Sequence, residues 1–367
     1  MQDTAQTPNA LRNHALDGLR GIAALSVALG HCVLTGAGAG LWHTSLRDFP
    51  ALSWVSIALR IMSTLFPSDA AVMVFFVLSG HVLWQSFRRK NLRLIPDLPD
   101  YVSARLFRLL PLTIITCLPF GFLVDTSART LAMNMLLFSD TLNGVTWSLQ
   151  VEMVASMGLF VLWGLTLGGV WKNLIVLLLI LAAVPFCRGN PYVVFFPAFI
   201  LGALIASLPK ALFGNRYNLP MAIAALMFTN IFLGHGGVTR CFEIVSATIV
   251  VGAVSNGRLP ILNSRLCQFL GAISYPFYLV HPIVMVELFS HMPAGVTDNG
   301  FTAFAFLAIM SVPIAIPVAW LLHVGIEMPV LRGRPRIAPL WRVGQKTSAA
   351  AGTRGGVQPV AAPTRSN

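Results

Sequence analysis

"LDGLRGIAALSVALGHC", Leu16 to Cys32, is apolar enough to lie in a membrane except for an arginine near one end and a histidine near the other. Eleven residues separate Arg20 from His31. At about 100° per residue, the second side chain returns to within about 20° of the first on an α-helix. They share a face. The rise is about 16 Å, so an Arg20 at one membrane surface places His31 near the midplane. Ionisable groups at that depth are expensive and point to a functional site.

The rest of the chain fits such a helix. Of 367 residues, 56% are hydrophobic and 10% charged, and the mean hydropathy is +0.75, which sets the protein outside the soluble globular class. The apolar runs are long and lack the alternation of an outer-membrane barrel. The expected fold class is therefore all-α, a polytopic helical membrane bundle whose first partner is the lipid bilayer. The polar first fifteen residues do not resemble a cleavable signal peptide. The formal charge of +12 comes without an aromatic-interleaved basic patch, so no nucleic-acid partner is expected. Five scattered cysteines (Cys32, Cys117, Cys187, Cys241, Cys267) form no CxxC pair and suggest neither a disulfide framework nor a metal site.

Hydropathy windows place ten spans near 15–35, 69–87, 106–124, 147–168, 173–187, 193–208, 219–234, 241–255, 267–290 and 301–323, with 51–66 as an extra interfacial helix. A cytoplasmic N-terminus collects most arginines and lysines on the inside, among them Arg20, Arg88 to Arg93, Arg105, Arg108 and the basic C-terminal tail. Arg47, Arg60, Arg129, Arg188 and Arg240 are left outside. That asymmetry predicts both termini in the cytoplasm. Residues 1–14 then form a short cytoplasmic segment, 15–340 the membrane domain and 341–367 a disordered tail.

Four further stretches interrupt apolar spans. In "VFFVLSGHVLW" (Val74–Trp84), Ser79 and Gly80 permit close helix approach or line a site, and His81 either bonds a neighbouring helix or joins that site. In "ARLFRLLP", Arg105 and Arg108 lie one turn apart at the expected cytoplasmic entry of the third span, placed to anchor the helix or to clamp phosphates. "TWSLQVEMV" (Thr146–Val154) puts Trp147 at the outer interface and Glu152 inside, where a carboxylate suits orienting a histidine or binding a hydroxyl. "ISYPFYLVHP" aligns Ser274, Tyr275, Tyr278 and His281 in a stripe kinked by Pro276 and Pro282, either for packing or for lining a tunnel. "HTSLRD" places His43 and Asp48 in an H-x4-D spacing, but on the outside, and "GAGAG" (Gly36–Gly40) follows a span rather than a strand and is no phosphate loop.

Taken in order, these pieces resemble the acyltransferase family 3 membrane proteins, multi-span O-acyltransferases of surface and secreted glycans. The R-x10-H of Arg20 and His31, "VFFVLSGH", "ARLFRLLP", "TWSLQVE", "ISYPFYLVHP" and "IEMP" at Glu327 carry the likeness from about Leu16 to Pro335. His81 departs from the family's usual aromatic after Ser-Gly, and the short tail after the membrane part leads us to expect a stand-alone transferase without the fused esterase-like domain of many relatives.

The resemblance implies a bacterial inner-membrane enzyme transferring an acyl group, expected to be acetyl, from cytosolic acyl-CoA to a carbohydrate or glycoconjugate hydroxyl. A separate extracytoplasmic transferase would be a compatible partner. Arg20, with Arg105 and Arg108, would hold the acyl-CoA phosphates. His31 would act as base or acyl carrier, Glu152 would orient the acceptor or His31, and Ser79, His81, Trp147, Tyr275, Tyr278 and His281 would line the substrate path, with no metal. The composition alone also admits a polysaccharide or small-molecule transporter, or a scaffold for polymer synthesis.

Overall fold

The computed structural model describes residues 13–337, apart from 168, 184–188, 235, 298 and 336. Expectations for the first twelve residues, for Cys187 and Arg188, and for the tail beyond Trp341 lie outside the described residues. Among the described residues every regular element is helical. The principal helices are α1 (His14–Ala37), α2 (Trp54–Leu65), α3 (Ser68–Lys90), α4 (Leu94–Leu123), α5 (Thr146–Thr166), α6 (Val170–Ala183), α7 (Pro191–Leu204), α8 (Asn218–Leu233), α9 (Gly237–Ser255), α10 (Arg265–Ser290) and α11 (Gly300–Leu322).

Each of the ten expected spans falls on one of these helices. Seven stretches are long and apolar enough to cross a membrane, and α6, α7 and α8 supply shorter apolar segments. Two boundaries differ in a way that matters. Helix α4 starts about a dozen residues before the expected 106, because Asp97 Oδ2 accepts from the Arg93 N–H at 2.7 Å and Pro96 falls in the first turn, where a missing N–H costs nothing. Arg105 is consequently eleven residues into the helix rather than at its entry. The extra helix near 51–66 is α2, yet Arg60 does not face an interface. It is 3% exposed and donates to Thr44 O, Ser63 Oγ and Asn230 Oδ1 at 2.8, 2.7 and 2.6 Å.

Glycines decide which helices meet. Helix α1 runs beside α10, and a Cβ at Gly21 would collide with the backbone at Gly271, while one at Gly271 would collide with the Asp17 carbonyl. In the same way a Cβ at Gly80 would overlap the Phe199 carbonyl, and one at Gly202 the Val77 carbonyl, so α3 and α7 lie in backbone contact. The first crossing sets α10 against α1, and α3 packs on α1 as well, so the polar faces of α1, α3 and α10 meet at one cavity. Beyond α11 the chain continues through a five-residue π-helical segment, His323–Glu327, in which His323 Nδ1 lies 2.6 Å from Glu327 Oε2.

Candidate active site

Helix α1 runs from His14 to Ala37, which puts Arg20 six residues after its start and His31 six residues before its end. The pair shares a face of that helix, as the eleven-residue spacing requires. Asp17 accepts from Arg20 Nη1 at 3.1 Å, an i,i+3 pair that steadies the guanidinium.

Arg20, Ser79, Arg108, Glu152, Tyr275 and Tyr278 come together around one cavity of about 70 Å³. That is room for a handful of waters. Ser79 Oγ donates to Glu152 Oε1 at 3.0 Å, and Arg105 Nη1 lies 3.5 Å from the same oxygen. Arg105 also sits 5.9 Å from the Tyr101 ring centroid, and the Tyr101 hydroxyl donates to Ser156 O at 2.9 Å. Arg105 thus stands behind Glu152, whereas Arg108 lines the cavity itself.

The two tyrosines are held by their hydroxyls. Tyr275 donates to Leu109 O at 2.7 Å, and Tyr278 shares a 2.8 Å hydrogen bond with Ser148 Oγ. Tyr278 also meets the His281 ring edge-on at 5.9 Å between centroids. His281 in turn lies against His31, with Nε2 of His281 and Nδ1 of His31 3.0 Å apart and the rings stacked at 5.2 Å. The cavity and the histidine pair therefore adjoin through Tyr278.

Two candidate residues lie elsewhere. His81 is 2% exposed and hydrogen bonds Gln85 at 2.8 Å, one turn along its own helix. Trp147 packs against Phe76 and Phe195, with centroids at 6.1 and 5.3 Å. Neither lines the cavity. Glu152, read from the sequence as a possible orienting group for His31, has Ser79 and Arg105 as its partners.

Sequence reading missed the charged cluster next to His31. Gly30 packs on Ser68, and the following residue, Asp69, accepts from Arg240 Nη2 at 2.5 Å, while Arg240 Nη1 reaches Glu243 at 2.7 Å. Charges in the first two turns of α3 and α9 were the available signal, but nothing local says that they meet.

The helical bundle brings arginines, a carboxylate and tyrosine hydroxyls to a largely apolar cavity with a histidine pair beside it, the anion-binding and proton-accepting groups that a membrane-embedded group-transfer enzyme needs. The family described as "Acyltransferase domain" matches residues 13–320. The chain belongs to acyltransferase family 3 and is a membrane acyltransferase. Among curated proteins it is similar to "Acyltransferase MdmB" of Streptomyces mycarofaciens, 27% identical over 393 aligned residues that cover 90% of this chain and 95% of the relative. No solved structure matches significantly.

Proposed function

We propose that this acyltransferase moves an acetyl group from cytosolic acetyl-CoA to a hydroxyl of a carbohydrate or glycoconjugate, with Arg20 and Arg108 on the donor side and His31 as the base. The observation that carries the reading is the adjacency, through Tyr278, of the arginine-lined cavity and the histidine pair. A CoA thioester is a polyanion on a long flexible arm. It suits a site with guanidinium groups at one end and a proton acceptor about 16 Å further along α1.

The arginine excess on one side of the sequence favours an orientation in which the Arg20 end faces the bacterial cytoplasm, where acyl-CoA resides. In the proposed step the acceptor oxygen bonds to the thioester carbonyl carbon and the C–S bond breaks. The hydroxyl proton passes to His31 and from there to the departing thiolate, releasing CoA as the thiol. Arg105 holds Glu152 at the cavity wall, and the Glu152 carboxylate positions the acetyl-bearing arm or the acceptor.

The test is transfer of label from radioactive acetyl-CoA in inverted membrane vesicles, comparing wild type with His31→Ala at matched expression. Label reaching a glycan only in wild type supports the reading. Equal transfer by both removes His31 as the base, and CoA release by neither removes acetyl-CoA as the donor.

A further inference from the structure

The hydrogen-bond arithmetic at the histidine pair has one consistent solution. His281 Nδ1 lies 3.2 Å from Phe277 O, and a carbonyl only accepts, so Nδ1 carries a proton. Pro282 has no N–H to give the Tyr278 carbonyl, which loosens the helix where the His281 ring folds back. His281 is 2% exposed among Phe277, Tyr278 and His31. A charge there would be costly, so the ring is neutral and its Nε2 is bare. His31 Nδ1, 3.0 Å away, must then supply the proton of that contact. A neutral His31 is left with a bare Nε2, which makes no hydrogen bond among the described residues. His31 is also the more exposed of the two rings.

We propose that His281 is the positioning residue of the reaction, a relay from the Phe277 carbonyl that locks His31 in the Nδ1–H tautomer and leaves His31 Nε2 as the atom that takes the acceptor proton. The role of His31 as base rests on the acyl-transfer reading above; the tautomer does not. When Nε2 takes the proton, His31 becomes an imidazolium whose Nδ1–H still points at the lone pair of His281 Nε2. A neutral imidazole thereby fills the place that a carboxylate takes in a serine-hydrolase triad, orienting the base and steadying its cation. A neutral partner fits an apolar interior better, since it brings no second charge to bury.

The experiment is long-range proton–nitrogen NMR on the full chain, labelled with nitrogen-15 histidine and held in lipid nanodiscs. The eight histidines are sorted by comparison with His31→Gln. In wild type His31 is expected as the neutral Nδ1–H form. In His281→Phe it shifts to the Nε2–H form, and kcat for acetyl transfer falls by about a hundredfold while KM for acetyl-CoA changes less than about threefold. His281→Gln presents an amide oxygen close to the former Nε2 position, so it keeps the wild-type tautomer and holds kcat within about tenfold of wild type.

An Nε2–H tautomer for His31 in wild type overturns the proposal, as does a tautomer that His281→Phe leaves unchanged. The wild-type spectrum alone can overturn it, so misfolding of a variant does not shield it. The expected tautomer switch without any acetyl transfer in wild type would instead sink the donor assignment and leave the histidine relay standing.

Discussion

Ser79 donates a hydrogen bond to Glu152 across 3.0 Å, while its neighbour Gly80 lies against the backbone of α7 at Phe199. One dipeptide thus does two jobs on faces of α3 about 100° apart. Gly80 sets how closely two helices approach, and Ser79 holds a carboxylate at the cavity wall.

Substituting the two residues should separate those jobs. Gly80→Val has to push α7 away and is expected to cost about 3 kcal/mol or more, read as lost expression or a lowered Tm in detergent. Ser79→Ala removes one hydrogen bond, costs about 1 kcal/mol, and should lower acyl transfer by about tenfold with folding intact. Equal loss of Tm in both variants would mean that Ser79 is a packing residue.

Arg20→Ala and Arg108→Ala should each raise KM for acetyl-CoA. A charge-assisted contact is worth about 2 kcal/mol, roughly thirtyfold in affinity. Initial rates across an acetyl-CoA series measure this, and an unchanged KM in both variants would place the donor elsewhere.

Arg105 and Glu152 should behave as a coupled pair. Arg105→Met leaves Glu152 facing the bundle interior with only Ser79, and is expected to destabilise by up to about 3 kcal/mol. Adding Glu152→Gln removes the stranded charge and should recover much of that loss, because both side chains are largely shielded, at 11% and 22% exposure. Thermal unfolding of the two single variants and the double variant gives the coupling. Additive losses would show that the 3.5 Å contact carries no energy.

Arg240 bridges Asp69 and Glu243, and Glu243 is 1% exposed. Arg240→Met should therefore lower the Tm far more than Arg240→Lys, which keeps a charge but can serve only one carboxylate well. Indistinguishable melting of the two variants would show that the bridging geometry is unimportant.

Much of this was legible in the chain itself. Hydropathy located ten apolar helices, seven of them long enough to cross a membrane, because burial in lipid is a local requirement: each helix must satisfy its own backbone and present an apolar surface, whatever its neighbours are. The shared face of Arg20 and His31 follows from helix periodicity alone, and the polar stripe of Tyr275, Tyr278 and His281 likewise. Partners were not legible in this way. His31 meets His281 from 250 positions away, Glu152 is claimed by Ser79 and Arg105, and His81 turns to Gln85, because helix crossings at Gly21 with Gly271 and at Gly80 with Gly202 decide which polar faces are brought together. Periodicity says which way a side chain faces along its own helix, and only packing, with its close-contact constraint at each glycine, says what it will find there.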